Sequence, residues 1–229
     1  MANVIIDGII KAFQLILSLD PTVYSIVFRS IYISGLATAM ATLWSLPIAV
    51  VLGLKKFPGR RFIRASFNAF LGIPTVVLGL MLFLLFSRSG PLGMFQLLFT
   101  PLGISIGQAI LITPIIVSFI TSSIEAINME LRDLARTLGA TEIQASTAIL
   151  REATGGVMLS VVAAFNRAFA ELGVAMMVGG NIHNLTRVLT TTIGLETARG
   201  EIALSIALGV ILLSIVYALS VIINCLRRN

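Results

Sequence analysis

The chain has 229 residues, of which 57% are apolar and only 11% charged, with a net charge of +6 and a mean hydropathy of +1.02. Soluble domains carry about 25% charged residues, so a soluble fold does not fit, and the solvent for most of the chain is lipid. The single cysteine, Cys225, excludes a disulfide framework or a cysteine-based metal site.

The N-terminal stretch VIIDGIIKAFQLILSLD is apolar but short, and it carries Asp7 and Lys11. It lacks the basic start and small-residue cleavage site of a secretory signal. Residues 1–21 read as an amphipathic helix lying along the membrane surface, with a sixth, tilted span as the alternative. Crossing a hydrocarbon core takes roughly 20 apolar residues, and five regions supply them: 26–54, 65–87, 103–124, 155–178 and 202–226. The third follows a loop punctuated by Gly and Pro, SGPLGMFQLLFTPLG, and the fourth is interrupted by Arg167 and Glu171. Pro47, Pro74 and Pro114 fall within three different spans, where each removes a backbone donor and permits a kink.

Orientation follows from the cations, since cytoplasmic loops near span ends are enriched in Lys and Arg. The first loop holds Lys55, Lys56, Arg60, Arg61 and Arg64, the third holds Arg132, Arg136 and Arg151, and the tail holds Arg227 and Arg228. The second and fourth loops hold Arg88, Arg187 and Arg199 only. The N-terminus is therefore expected outside and the C-terminus in the cytoplasm. This asymmetry accounts for the positive charge without a nucleic-acid partner.

Between the third and fourth spans, residues 125–152 form a charged cytoplasmic island. Leu131, Leu134, Ala135 and Leu138 recur at the spacing of one helical face, with Asn128 as a possible cap and Glu130 in the first turn. Gly139 interrupts this helix where a left-handed residue is cheap only for glycine. Thr141 and Gln144 have the spacing of a capping box, which opens a second short helix through Ile149. Helix, sharp turn and helix suit docking against another protein; a solvated amphipathic loop is the plainer alternative.

Arg167 and Glu171 stand four residues apart, on one face of the fourth span, so each can neutralise the other. A mid-membrane charge costs roughly 2.5–3.5 kcal/mol on insertion scales, so the pair is expected to line a pathway or gate, or else to bridge the span to a neighbour. Asn166 can join either network. Arg29 is expected to snorkel outward from the first span. Gly179, Gly180 and Thr190 to Thr192 lie near the outer face, where small groups and hydroxyls could meet an anion or a partner, and His183 reads as a surface residue. No G-x4-G-K-[ST] phosphate loop occurs in the chain.

The order Asp133, Leu134, Ala135, three residues, Gly139, nine residues, Ile149 resembles the EAA loop of bacterial ABC transporter permeases, E-A-A-x3-G-x9-I-x-L-P. Arg151 and Glu152 replace its closing Leu and Pro. IPTVVLGLMLFLLF resembles a P-x-V-x-G-x-x-L segment of molybdate and tungstate permeases, and FNRAFAELGVAMMVGGNI their R-x3-E-x-G-A segment. TRVLTTTIGLETARGEIALSIALG is similar to the outer loop and last span of the tungstate type. Across roughly 22–226 the chain is identified as resembling type I ABC importer permeases, closest to the tungstate branch.

The resemblance implies an all-α integral membrane protein with five spans, the N-terminal amphipathic helix and cytoplasmic coupling helices, in one permease domain over 1–229. It implies a multi-pass subunit of a prokaryotic plasma membrane, without enzymatic activity or a cofactor of its own. ATP and Mg would sit on a partner ATPase dimer, an extracytoplasmic oxyanion-binding protein would deliver cargo, and the permease would work as a homodimer in lipid. It assigns ATPase coupling to Asp133, Ala135, Leu138, Gly139, Ala140, Thr141, Glu142, Gln144 and Ile149. The pathway or gate would take Asn166, Arg167, Glu171 and Gly173. Tungstate is the implied cargo, with molybdate and sulfate as rivals. A membrane enzyme lacks any recognisable catalytic constellation, and a secondary transporter would be expected to show an inverted repeat with broken helices, which the sequence does not display.

Overall fold

The computed structural model describes residues 2–18 and 20–227, with backbone only for residues 2–4, 128–133, 135–136 and 222–227. Among the described residues all regular structure is helical: α1 (Ala2–Leu17), α2 (Pro21–Leu54), α3 (Arg60–Phe70), α4 (Thr75–Phe86), α5 (Pro101–Thr137), α6 (Glu142–Glu152), α7 (Thr154–Phe169), α8 (Gly173–Gly179), α9 (Leu189–Ala198) and α10 (Ile202–Arg227). A short 3-10 turn at Gly93–Phe95 lies in the loop before α5.

Among the described residues three helices are long and apolar enough to cross a membrane, α2, α5 to Ile127 and α10 to Val221, or up to five spans if each of two bent helix pairs counts as one. α2 opens at Asp20, whose carboxylate accepts the Thr22 and Val23 amides at 2.9 and 3.0 Å, with Pro21 at the first helical position. Pro47 and Pro114 are absorbed inside α2 and α5 without ending either helix.

The second span departs from a single helix. α3 and α4 meet at 100°. The break falls at Leu71–Pro74, where Pro74 lacks an amide and disfavours helix at the residue before it. α3 carries no buried residue, and Phe62 and Phe70 are exposed beside Arg60, Arg61 and Arg64. That pattern suits a helix in the interface plane. The fourth span is also discontinuous: α7 ends at Phe169 and α8 starts at Gly173.

The core is built on α5, whose apolar window is 72% buried against 33% for α2 and 22% for α10. Ile112, Ile116, Ile120 and Ile124 recur every fourth residue along α5 and pack against Ala37, Ala41 and Ala49 of α2 and Ala164 and Ala168 of α7. Small residues facing large ones let helices approach closely where lipid supplies no hydrophobic drive. A second cluster joins α4, α5 and α8 through Leu78, Leu82, Phe86, Leu111, Val174 and Val178. α1 packs on α10, close enough at Gly8 that an added Cβ would lie 2.6 Å from Ile206 Cβ. Its sixteen residues span about 24 Å, short of the roughly 30 Å hydrocarbon core.

Candidate functional site

The charged island grows out of the central helix. α5 runs unbroken past Asn128 to Thr137, so the expected separate helix start at Asn128 does not form. A cap needs a preceding break, and no glycine or proline precedes Asn128 in that turn to provide one. Gly139 stops the helix with φ +82, the left-handed conformation that glycine adopts without a Cβ penalty. Thr141 then caps α6: its Oγ accepts the Gln144 amide at 3.4 Å, and Gln144 Oε1 accepts the Thr141 amide at 2.8 Å. This is the expected capping box, and α6 continues to Glu152 rather than ending near Ile149.

α6 has two unlike faces. Ala145 and Ile149 are buried, and Ile149 packs in the core cluster with Ile120, Ile124 and Ala153, so Ile149 anchors the island to the spans. On the opposite side Ile143 is 80% exposed, and Leu138 in the preceding turn is 79% exposed. Thr141, Glu142 and Gln144 are exposed beside them, and Ala140 is half-buried. The side chains of Asp133 and Ala135 lie outside the described residues. Ile143 escaped the motif comparison, although an apolar residue off the Ala145 and Ile149 stripe was a readable signal. Where the familiar pattern closes with Leu-Pro, Arg151 and Glu152 stay helical, and a 50° bend between α6 and α7 falls at buried Ala153.

A second contact secures the root of the island. Glu125, near the end of the apolar part of α5, receives Arg60 on one carboxylate oxygen and Arg64 on the other, the latter at 2.6 Å. Arg60 Nε also donates to the Leu52 carbonyl at 2.7 Å. α2, α3 and α5 therefore meet at one partly buried ionic clasp. The sequence sets these arginines in the first loop and gives no local sign of Glu125 as their partner.

Within the fourth span the expected pairing of Arg167 with Glu171 is absent. The helix ends between them, so the four-residue spacing no longer sets both on one face. Glu171, 1% exposed, instead turns to α8: Val174 N–H donates to both carboxylate oxygens at 3.0 Å and Ala175 N–H to Oε2 at 3.2 Å. Thr190 Oγ donates to the Glu171 carbonyl at 2.8 Å, which ties this break to α9. Gly173 lies so close to α4 that a Cβ there would meet Thr75 Oγ at 2.7 Å and the Val76 amide at 3.0 Å. The broken ends of the second and fourth spans thus abut.

Arg167 is half-buried, and among the described residues its guanidinium has no acceptor. Asn166 donates to Ser220 Oγ at 2.8 Å, linking α7 to α10, while its Oδ1 is buried without a donor. The hydroxyls of Thr190, Thr191 and Thr192 are committed internally: Thr191 and Thr192 are buried and donate to the Val188 carbonyl, and Thr190 serves Glu171. His183 is exposed, as expected. Arg29 donates to the Arg187 carbonyl at 3.0 Å.

A model of the family described as binding-protein-dependent transport system inner membrane component matches residues 45–228. The chain belongs to this family. It is similar to the tungstate uptake system permease protein TupB of Peptoclostridium acidaminophilum, with 37% identity over 225 residues, 98% of this chain and 99% of that one. The TupB of Campylobacter jejuni is 36% identical over 225 residues, covering 98% of this chain and 94% of that protein. Among solved structures, the inward-facing MetNI methionine ABC transporter shares the fold at a TM-score of 0.70 and 20% identity, covering 91% of this chain and 97% of that one.

Family membership makes the chain a multi-pass membrane permease and not an enzyme, with ATP hydrolysis residing on a separate subunit. It also implies an ATPase and a binding protein as partners.

Proposed function

We propose that this permease is the membrane subunit of an ATP-driven oxyanion importer whose cargo is tungstate. Full-length similarity to two tungstate uptake permeases carries the reading of the cargo. The exposed Leu138 and Ile143, held apart from the core by a capped turn, support the coupling mechanism. A cytoplasmic island that buries one face and presents two large apolar side chains to water fits a groove on a partner.

The partner is a dimer of ATPases carrying ATP and Mg, and the permease is a homodimer around the pathway. Among the described residues, three long apolar helices and two bent helix pairs enclose little, and Val76, Val77, Leu80, Met81 and Leu84 leave an exposed apolar face on α4 for a second copy or lipid. The N-terminus lies outside and the C-terminus in the cytoplasm. As the ATPases close, paired islands draw together. Rigid α5 then carries that motion to the spans, exchanging an inward-open for an outward-open pathway. Arg167, without an acceptor among the described residues, lines that pathway with Asn166, while Glu171 and Gly173 hold the hinge between the broken spans.

The test is reconstitution. The permease is co-expressed with the ATPase and binding protein encoded beside it, placed in proteoliposomes, and assayed for labelled tungstate uptake against molybdate and sulfate competitors. ATP-dependent uptake that tungstate competes best is the expected result. Failure of the permease to co-purify with any ATPase, or uptake that persists without ATP hydrolysis, overturns the reading in favour of a secondary transporter. Stronger competition by molybdate or sulfate moves the cargo assignment alone.

A further inference from the structure

Two arginines at the outer end of the molecule have been left without a role. Arg29 sits on α2, and counting about 20 residues outward from Leu54, beside Lys55 and Lys56 at the inner interface, puts the outer hydrocarbon boundary near residue 34. Arg29 is then about 8 Å beyond it, in the outer interface. Its Nη1 donates to the Arg187 carbonyl at 3.0 Å, which brings the α2 helix and the loop between α8 and α9 together.

Arg187 is the more unusual of the two. Its Nε is buried and has no hydrogen-bond partner. Burial and, after it, the positive charge of Arg187 both work against the charge on Arg29, whose guanidinium is hydrogen-bonded to the Arg187 backbone. Among the described residues neither guanidinium has a carboxylate partner, and the outer ion pair that does form joins Arg199 to Glu196. Helix α9 begins two residues after Arg187, with Leu189 N–H donating to Ser30 Oγ at 2.9 Å, so its positive end faces the same corner.

Two like charges held together with a buried, unsatisfied donor are costly unless an anion completes them. Guanidinium forks match tetrahedral oxyanions in geometry as well as charge. We propose that Arg29 and Arg187 form a receptor for a tetrahedral oxyanion at the outer mouth of the permease.

The cargo dianion and the phosphate of an outer-leaflet phospholipid share this chemistry. The assignment to cargo rests on the importer reading; the receptor itself does not. At this position the cargo would meet the site on leaving the binding protein and before entering the spans. Release inward demands a site that holds the anion only weakly, and two arginines on separate elements can part when the spans move.

The experiment uses the permease with its ATPase in a maltoside detergent, freed of phospholipid as judged by a phosphorus assay, with tungstate binding measured by equilibrium dialysis. Arg29→Gln and Arg187→Gln are each expected to weaken binding at least tenfold, and Arg187→Lys to fall between them and wild type, because charge is kept and the fork is lost. Size-exclusion elution with the ATPase shows that each variant is assembled.

In a second arm, phospholipid retained by each complex through mild purification is counted by native mass spectrometry. Loss of a bound phospholipid in the glutamine variants, with tungstate binding unaltered, supports the receptor and identifies its ligand as lipid phosphate. Assembled variants that match wild type in both arms overturn the proposal. If the wild-type complex binds tungstate but transports no oxyanion in vesicles, the importer reading fails while the receptor stands.

Discussion

Glu171 and Val174 share one backbone amide between both carboxylate oxygens at 3.0 Å, and Ala175 adds a second donor. A helix that starts within a bilayer leaves donors that water cannot reach, and each costs several kcal/mol if unmet. The buried carboxylate meets that need. An acidic side chain that looked like half of an ion pair is therefore the cap of a half-helix.

This assignment separates Glu171 from Arg167 by experiment. Glu171→Ala is expected to lower the stability of the purified permease by about 2–3 kcal/mol, since it orphans buried amides. Glu171→Gln, which keeps an acceptor, is expected to lose about half as much. Arg167→Ala is expected to leave stability within about 1 kcal/mol of wild type while reducing uptake. Denaturant or thermal unfolding in detergent reads the first effect and vesicle uptake the second. Equal destabilisation by Arg167→Ala would restore the ion pair.

Local chemistry explains what the sequence made legible. The stop at Gly139 and the box at Thr141 and Gln144 depend on residues within one turn, and both form as their spacing predicts. The apolar windows likewise follow from composition. The arrangements that stayed hidden depend on partners far along the chain. Nothing near Glu125 announces Arg60 and Arg64, about 60 residues earlier. Pro74 signalled a kink, but its 100° angle depends on where α3 rests. The pairing of Arg167 with Glu171 presupposed a continuous helix, and the break before Gly173 has no proline to reveal it.

The inner clasp gives a second prediction. Arg60 and Arg64 share Glu125 while only partly exposed, so removing the acid leaves two cations facing each other beneath α3. Glu125→Ala is expected to cost about 1–3 kcal/mol, more than a surface pair. In a double-mutant cycle, Arg60→Ala with Glu125→Ala should give a coupling of about 1–2 kcal/mol. A coupling near zero would mean that the contact is screened and that α3 is held by its apolar side chains instead.

The capping box predicts a local effect. Thr141→Ala removes the acceptor for the Gln144 amide and is expected to cost about 1 kcal/mol of α6 stability, whereas Thr141→Ser retains it. Hydrogen exchange in the first turn of α6 should rise severalfold in the alanine variant and stay near wild type in the serine variant. Unchanged protection in both would assign the start of α6 to the anchoring of Ala145 and Ile149 alone.

The two faces of α6 predict opposite outcomes for similar substitutions. Ile143 and Leu138 are 80% and 79% exposed, so Ile143→Asp and Leu138→Asp should leave folding intact, because neither buries a charge in this chain. Both should abolish co-purification with the ATPase, where a desolvated carboxylate would meet an apolar groove. Ile149→Asp places the same charge among Ile120, Ile124 and Ala153 and should prevent folding altogether. Ile149→Val should cost about 1 kcal/mol and retain the ATPase. Affinity capture beside thermal unfolding reads both properties at once. ATPase binding that survives both aspartates at the exposed face would move the docking surface away from the turn at Gly139, whereas its loss with unfolding unchanged would locate the surface there.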